Sequence, residues 1–252
     1  MKRIDLNCDM GESFGAWNMG QDARVMPWIS SANIACGMHA GDPATIQRTV
    51  ALAVQHGVAI GAHVSLPDLQ GFGRRTMAIS AADLHALVLY QIGALAGFAR
   101  AAGTRLRHVK AHGALYHQTA SDAVLAQAFA QAVCDFDMQL AVVAQHGSAV
   151  LDATQALGLR GLREAFADRG YGGDGKLLPR GATDALLDTA QAAAQALGIA
   201  AQGVVVAHGG ARLAIVADTL CMHGDRDDAA ALAQTLHSAL ATANISVQAE
   251  TP

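Results

Sequence analysis

The sequence predicts an α/β fold, a single barrel-like domain of about seven strands spanning residues 1–252. Three observations point there. Short apolar runs alternate with longer helical patterns along the whole chain, which implies parallel strands joined by crossover helices. No linker or low-complexity stretch divides the chain. Several apolar runs also end on histidine and aspartate beside glycine, as in "NIACGMHAGD" at 33–42. A βα barrel delivers polar residues to one rim in this way, because the loops after its strands build the active site.

The elements follow in order. The first strand is Ile4 to Cys8, and Asp9 and Glu12 come after it. The second is Ala32 to Cys36, followed by His39 and Asp42. Asp42-Pro43 then opens a helix running to about His56, an N-cap with proline at the first helical position, and Gly57 ends it. The third strand, Ala59 to His63, leads to Asp68 and to "GFGRRT" at 71–76, which carries Arg74 and Arg75. Ser80 caps a helix from about Ala81 to Ala102, stopped by Gly103. The fourth strand is His108 to Ala111, with His112 just beyond it. A helix from Ser121 to Cys134, a strand from Gln139 to Val143, a helix from Ser148 to Leu157 and a strand from Leu162 to Phe166 come next. A helix from Asp184 to Leu197 precedes "GVVVAHGGARLAIVAD", two apolar runs around "HGGAR" that read as an inserted hairpin. The last strand, Asp218 to Met222, delivers His223 and Asp225. A helix from Asp227 to Ala243 and a short polar tail, expected to fray, complete the chain.

Composition excludes several classes. Hydrophobic residues make up 52% and charged residues 15%, a globular balance. The net charge of −4 comes with no basic patch, so neither nucleic acid nor an anionic membrane is an expected partner. The N-terminus "MKRIDLNCDM" lacks the apolar stretch of a signal peptide. The longest uncharged segment, Thr189 to Ala211, holds three Gln, four Gly and a His, so no membrane span is expected there. The expected location is cytoplasmic, where the four cysteines would stay reduced.

The rim residues define the expected site: Asp9, Glu12, His39, Asp42, His63, Asp68, His112, His223 and Asp225. Lys110 joins them. It is the only lysine between Lys2 and Lys176, it sits in an apolar strand, and alternation puts it on the same face as His112. A buried lysine requires a partner. Arg74 and Arg75 on their glycine-flexed loop offer a carboxylate or phosphate clamp. His56, His85, His146 and His237 lie on helices or helix-side turns and read as surface or packing residues. "GYGGDGKL" at 170–177 fits a phosphate-loop pattern, but Leu177 stands where Ser or Thr is needed. Pro179-Arg180-Gly181 then closes the segment, so no helix N-terminus follows.

Seven blocks carry a resemblance: "IDLNCDMGESFGAW", "SANIACGMHAGDP", "GVAIGAHVSLPDLQGFGRR", "LVLYQIGAL", "VKAHGALYH", "FADRGY" and "ADTLCMHGD". Together, from about Ile4 to Ala243, they resemble the LamB/YcsF family of ATP-hydrolysing 5-oxoprolinase components. Two departures stand out: Val64 and Ala111 replace prolines usual beside the site histidines. The resemblance implies a barrel similar to the glycoside hydrolase/deacetylase barrels. It implies opening of the lactam ring of 5-oxoproline to glutamate, with ATP hydrolysis and two other subunits. By likeness to metal-dependent deacetylases it also implies a divalent metal on Asp9, His39 and His63.

A lactam suits the residues. Lys110 or a metal can stabilise the amide oxygen as it becomes anionic. Asp9 or His39 can activate water, His112 or His223 can protonate the leaving nitrogen, and Arg74 can hold the substrate carboxylate. Glu12 and Asp225 complete the catalytic candidates, while Asp42, Asp68 and Arg75 join Arg74 as substrate-binding candidates. ATP is bound in an unusual way or by a partner subunit. Two alternatives stay open: a stand-alone metal-dependent amidohydrolase or deacetylase, and a substrate-binding subunit without its own chemistry.

Overall fold

The computed structural model describes residues 2–179 and 181–250; Arg180, at the end of the phosphate-loop look-alike, lies outside them. The strands are β1 (Lys2–Met10), β2 (Ser31–Ala35), β3 (Ala59–Val64), β4 (His108–Ala111), β5 (Ala141–Gln145), β6 (Arg160–Phe166), β7 (Val204–Val206), β8 (Arg212–Ala214), β9 (Thr219–Met222) and β10 (Ile245–Val247). Seven of them, in the order β1-β2-β3-β4-β5-β6-β9, pair in parallel, and β9 returns to β1 to close the barrel. The fold class is the one expected. β7 and β8 form the antiparallel hairpin inserted before β9.

Helices wrap the outside: α1 (Asp22–Val25), α2 (Pro43–His56), α3 (Ala81–Ala101), α4 (Gly113–Ser121), α5 (Ala123–Phe136), α6 (Ala149–Ala156), α7 (Thr189–Leu197) and α8 (Ala229–Thr242). The caps behave as their residues dictate. Asp42 accepts from the amides of Ala44 and Thr45, Gly57 ends α2 in the left-handed region, and Ser80 accepts from Asp83. α3 is, among the described residues, the one helix long and apolar enough to cross a membrane. Here it packs on β3 and α5 and buries Leu84, Val88, Ile92 and Leu95.

Four expectations are corrected. The polar tail, expected to fray, holds a strand: β10 pairs with Lys2–Ile4 at the start of β1, while Thr251 and Pro252 lie outside the described residues. β5 lies two residues later than Gln139 to Val143. The helix expected from Ser121 to Cys134 is α5, which starts at Ala123 because Asp122 caps it through Val124 and Leu125, and an unexpected helix, α4, precedes it. α7 starts at Thr189 rather than Asp184, because Asp188 and Gln191 form a reciprocal capping box.

Strand alternation sends Leu6, Cys8 and Met10 into the apolar layer beneath the helices. It sends Asp5, Asn7 and Asp9 into the barrel, whose interior is a hydrogen-bonded polar column. Asp5 accepts from Ser30 at 2.6 Å, Ser31 at 2.7 Å and Thr219 at 2.5 Å. Asn7 donates to Glu164 at 3.1 Å and Thr219 at 2.7 Å; Asn33 donates to Asn7 at 2.7 Å and Asp9 at 2.9 Å. His108 reaches Asn33 Oδ1 at 2.7 Å.

Two predictions arise from this column. A Cβ on Gly61 would stand 2.0 Å from the His108 ring. Gly61→Ala is therefore expected to destabilise the fold by about 3 kcal/mol or more, read as a lower urea midpoint; an unchanged midpoint contradicts the packing. Burial first, then the Lys110 charge, holds His108 down to about 3, against an ordinary value of 6.5. Between those two values the unfolded chain binds a proton that the folded chain refuses, so stability falls as pH drops from about 6.5 toward 3. The loss amounts to a few kcal/mol. Urea titrations from pH 7 to 4 should show it, and His108→Gln should flatten the slope; an equal slope in the variant removes His108 as the cause.

Candidate active site

A cavity of about 580 Å³ opens at the carboxyl ends of the strands. Its polar floor is Lys110, which strand β4 carries inward. The ammonium lies 2.8 Å from Glu164 Oε1, 3.1 Å from Asp9 Oδ1, 3.3 Å from Asn7 Oδ1 and 3.2 Å from Cys221 Sγ. Burial alone would lower its pKa, but the charges of Asp9, Cys221 and Glu164 outweigh that and hold it well above the ordinary lysine value. Lys110 is thus a fixed cation with 3% of its side chain exposed. Asp9 is its counterpart: burial pushes it up, His63 and Lys110 pull it down harder, and it rests well below the usual carboxylate range.

Beside this pair, Glu12, His39, His63 and His112 converge, with one ligating atom from each lying within 4.8 Å of the others. The hydrogen bonds settle the tautomers. His112 Nε2 donates to the Phe72 carbonyl at 2.8 Å and His63 Nδ1 to the Lys110 carbonyl at 3.2 Å. Ser65 Oγ donates to the Leu66 carbonyl, so at its 2.9 Å contact with His39 it accepts from Nδ1. With these donors tied outward, His39 Nε2, His63 Nε2 and His112 Nδ1 face one another and Glu12, and His63 Nε2 also lies 3.3 Å from Asp9 Oδ2. His63 Nε2 and His112 Nδ1 are 3.0 Å apart, His39 Nε2 and Glu12 Oε1 3.5 Å, and His112 Nδ1 and Glu12 Oε1 3.8 Å. Glu12 Oε1 and His39 Nε2 are buried with no hydrogen-bond partner. Lone pairs facing one another in a buried space call for a cation between them.

The residues fit a divalent metal. The separations lie near the roughly 3.4 Å edge of a tetrahedron built on metal–nitrogen bonds of about 2.1 Å. The remote nitrogen of each ring is already tied to a carbonyl or hydroxyl, as ligating histidines require. Burial first, then the neighbouring rings, keeps His39 well below its ordinary value, and burial and His63 keep His112 at about 3, so both rings are neutral. Glu12 is pushed well up by burial and by Asp9 and Asp225. Asp9, expected as a metal ligand, borders this cluster: its Oδ1 is held by Lys110 and Asn33, and its Oδ2 lies 3.3 Å from His63 Nε2. Glu12 and His112, expected in catalysis, belong to it.

Glycine makes the cluster possible. A Cβ on Gly73 would press on His112 at 2.8 Å and His39 at 3.0 Å, and Gly73 sits at φ +65°. Phe72, at φ 53°, turns its carbonyl to His112.

The opposite wall holds His223, whose Nδ1 bonds Asp168 Oδ1 at 2.9 Å while its own amide bonds Asp168 Oδ2. Asp168 is fully buried and kept low: burial opposes this, and His223 outweighs it. A carboxylate on Nδ1 orients the ring and stabilises its imidazolium form, which suits His223 to proton transfer at Nε2. Arg74 lines the cavity and pairs with Asp225 at 2.7 Å.

Three expected substrate-binding residues are elsewhere. Asp42 caps α2 and accepts from the Gly15 amide. Asp68 clasps its own loop through Arg75 Nε at 2.9 Å and the Gly71 amide, and Arg75 points to solvent. These are turn and cap chemistry, and none of the three lines the cavity. Glu164 and Asp168 were missed. Glu164 follows Arg163 in a strand with two arginines, where a charge does not stand out as Lys110 does; Asp168 comes two residues after β6, in "FADRGY".

The chain thus closes a parallel barrel with a lysine–carboxylate centre, a His-Asp pair and a Glu-His₃ cluster at its mouth. Its fold resembles a family 4 carbohydrate esterase from Streptomyces lividans, with a TM-score of 0.51 at 11% identity over 100% of this chain and 94% of that one. The chain belongs to the LamB/YcsF family, whose profile matches residues 4–252. It is 55% identical to a 5-oxoprolinase subunit from Bordetella pertussis over 98% of each chain. It superposes on the lactam utilization protein from Thermus thermophilus with a TM-score of 0.94, at 44% identity over 98% of this chain and 100% of that one.

Proposed function

We propose that this chain is the subunit of an ATP-dependent 5-oxoprolinase in which the lactam ring of 5-oxoproline is opened to glutamate, with two partner subunits and in the cytoplasm. The observation that carries the reading is Lys110, a buried permanent cation at the floor of a cavity that also holds a His-Asp pair. The names of the relatives supply the substrate.

Each residue has a role that its geometry supports. Arg74 faces the cavity and receives the substrate carboxylate, in exchange with Asp225. Lys110 Nζ stabilises the charge that develops on the lactam oxygen, in a buried setting where such a contact is strong. His223 Nε2 takes a proton from the attacking water and returns it to the ring nitrogen as the C–N bond breaks, while Asp168 stabilises the charged imidazole between the two transfers. Glu12, His39, His63 and His112 would hold a divalent metal, which supplies Lewis acidity and a more acidic bound water. ATP supplies what these side chains lack: phosphorylating the amide oxygen, with release of ADP, converts a poor electrophile into a good one. Water adds, the C–N bond breaks to leave an acyl phosphate, and a second water releases phosphate and glutamate.

The expected result is that the isolated chain releases little or no glutamate from 5-oxoproline, and that adding ATP and both partner subunits restores turnover. Robust ATP-independent release by the chain alone would contradict the proposal and favour a stand-alone metal-dependent amidohydrolase, the reading that the Glu-His₃ cluster supports. Full turnover by the partners without this chain would reduce it to a binding subunit.

A further inference from the structure

A second cavity, of about 630 Å³, adjoins the first, and His117, Ser121 and Leu177 line both. One wall is the start of α6, with His146, Gly147 and Ser148. Another is the glycine-rich turn of residues 170–177, with Asp174 and Lys176. Ser148 is the N-cap residue of α6, yet its side chain caps nothing. It is 4% exposed, and its hydroxyl has no hydrogen-bond partner among the described residues. An N-cap serine ordinarily accepts from an amide two or three positions on. Here the Ser148 carbonyl accepts from the Leu151 and Asp152 amides, and the hydroxyl is left for something else at the positive end of a helix.

The turn opposite is "GYGGDGKL". Tyr171 pairs with Leu177, and the Gly172 and Gly175 amides close the turn onto the Lys176 and Gly172 carbonyls. No helix follows it in sequence, which rules out an ordinary phosphate loop. The fold provides the missing helix start from another part of the chain, because α6 opens across the cavity from Lys176. Glu164 and Asp174 also line the space; Glu164 is paired with Lys110 at 2.8 Å, and Asp174 accepts from the Lys176 amide at 3.1 Å. With these carboxylates so engaged, Ser148 at the start of α6 and Lys176 on the turn are the groups that suit an anion.

We infer that this second cavity binds a phosphate group, carried by inorganic phosphate or by a nucleotide. The inference rests on the ATP-coupled reading above, and it places the phosphate next to the lactam pocket within this chain. Glu164 links the two spaces, since its Oε1 holds Lys110 in the first cavity while the residue lines the second.

Titration calorimetry of the full chain, with inorganic phosphate in one arm and magnesium ADP in the other, tests the inference. Two variants are compared with the wild type. Ser148→Asp keeps a good helix cap but sets a negative charge in the anion position, and Lys176→Glu reverses the charge of the turn residue opposite. The expected result is binding in at least one arm, weakened about tenfold or more by each substitution, with unfolding temperatures unchanged. Tighter binding in the ADP arm identifies a nucleotide as the source; binding of phosphate alone identifies the free ion. Absence of binding in both arms, or affinities unmoved by both substitutions, overturns the inference. The glutamate assay is read separately. Phosphate binding by a chain that supports no opening of 5-oxoproline even with ATP and both partner subunits would retire the lactam reading and keep this site, and lactam turnover without phosphate binding would do the reverse.

Discussion

Lys110→Ala is expected to reduce glutamate release by the full enzyme about 10²- to 10³-fold, because the cation on the cavity floor is removed. The same substitution leaves Asp9 and Glu164 facing each other's charge inside the barrel, and breaking a buried pair in this way destabilises a fold by about 3–5 kcal/mol. The two effects are separable. Glu164→Gln in the Lys110→Ala background removes the excess negative charge and should recover much of the stability, read from a urea titration. It should recover none of the activity, since the donor to the lactam oxygen is still absent. If Lys110→Ala keeps near-normal turnover, or if the double variant regains it, then Lys110 only fills and neutralises the barrel.

The second large effect concerns the Glu-His₃ cluster. Chain stripped with chelator and then dialysed against zinc or manganese should retain about one ion, because four buried lone pairs converge with their outer partners already in place. His112→Ala should lower that affinity by at least about 100-fold, as outer partners alone are worth about 10- to 100-fold. Asp9→Asn should lower it much less, because Asp9 Oδ1 is taken by Lys110 and its Oδ2 meets the cluster only at His63 Nε2. Metal content by atomic absorption reads both without reference to activity. A wild-type chain that retains no ion, or a His112→Ala chain that retains the full amount, contradicts the assignment. Equal losses in the two variants would return Asp9 to the ligand set expected from sequence.

Much of this geometry was legible because a parallel barrel sends every strand's carboxyl end to one rim. Asp9, His39, His63, Lys110, His112 and His223 each follow or end an apolar run, so the topology brings them together without knowledge of any contact. Which of them could hold a metal was not legible. Asp9 and Glu12 are both acids near the end of β1, and only the position of Lys110 across the barrel decides that Asp9 is engaged and Glu12 is left with a bare oxygen. Asp42, Asp68 and Arg75 were misread for the opposite reason. Their partners are local amides and each other, and cap and turn chemistry uses the same residue types as a site.

The polar column had a signal in the sequence as well. Asp5, Asn7 and Asp9 alternate along β1, as do His108, Lys110 and His112 through β4, and such alternation marks a polar lumen. β10 had almost none, since three residues of strand are specified only by their pairing with a segment at the far end of the chain. The start of β5 was ambiguous because Leu140 to Ala144 is buried on both faces, where no alternation shows the boundary.

A crystal structure of the isolated chain soaked with 5-oxoproline tests the central claim most directly, because a chain that opens the ring poorly by itself should retain the intact lactam. The ring is expected in the first cavity, its carbonyl oxygen about 3 Å from Lys110 Nζ and its carboxylate on Arg74. A lactam bound away from Lys110, with the lysine still enclosed by Asp9 and Glu164, would contradict the account.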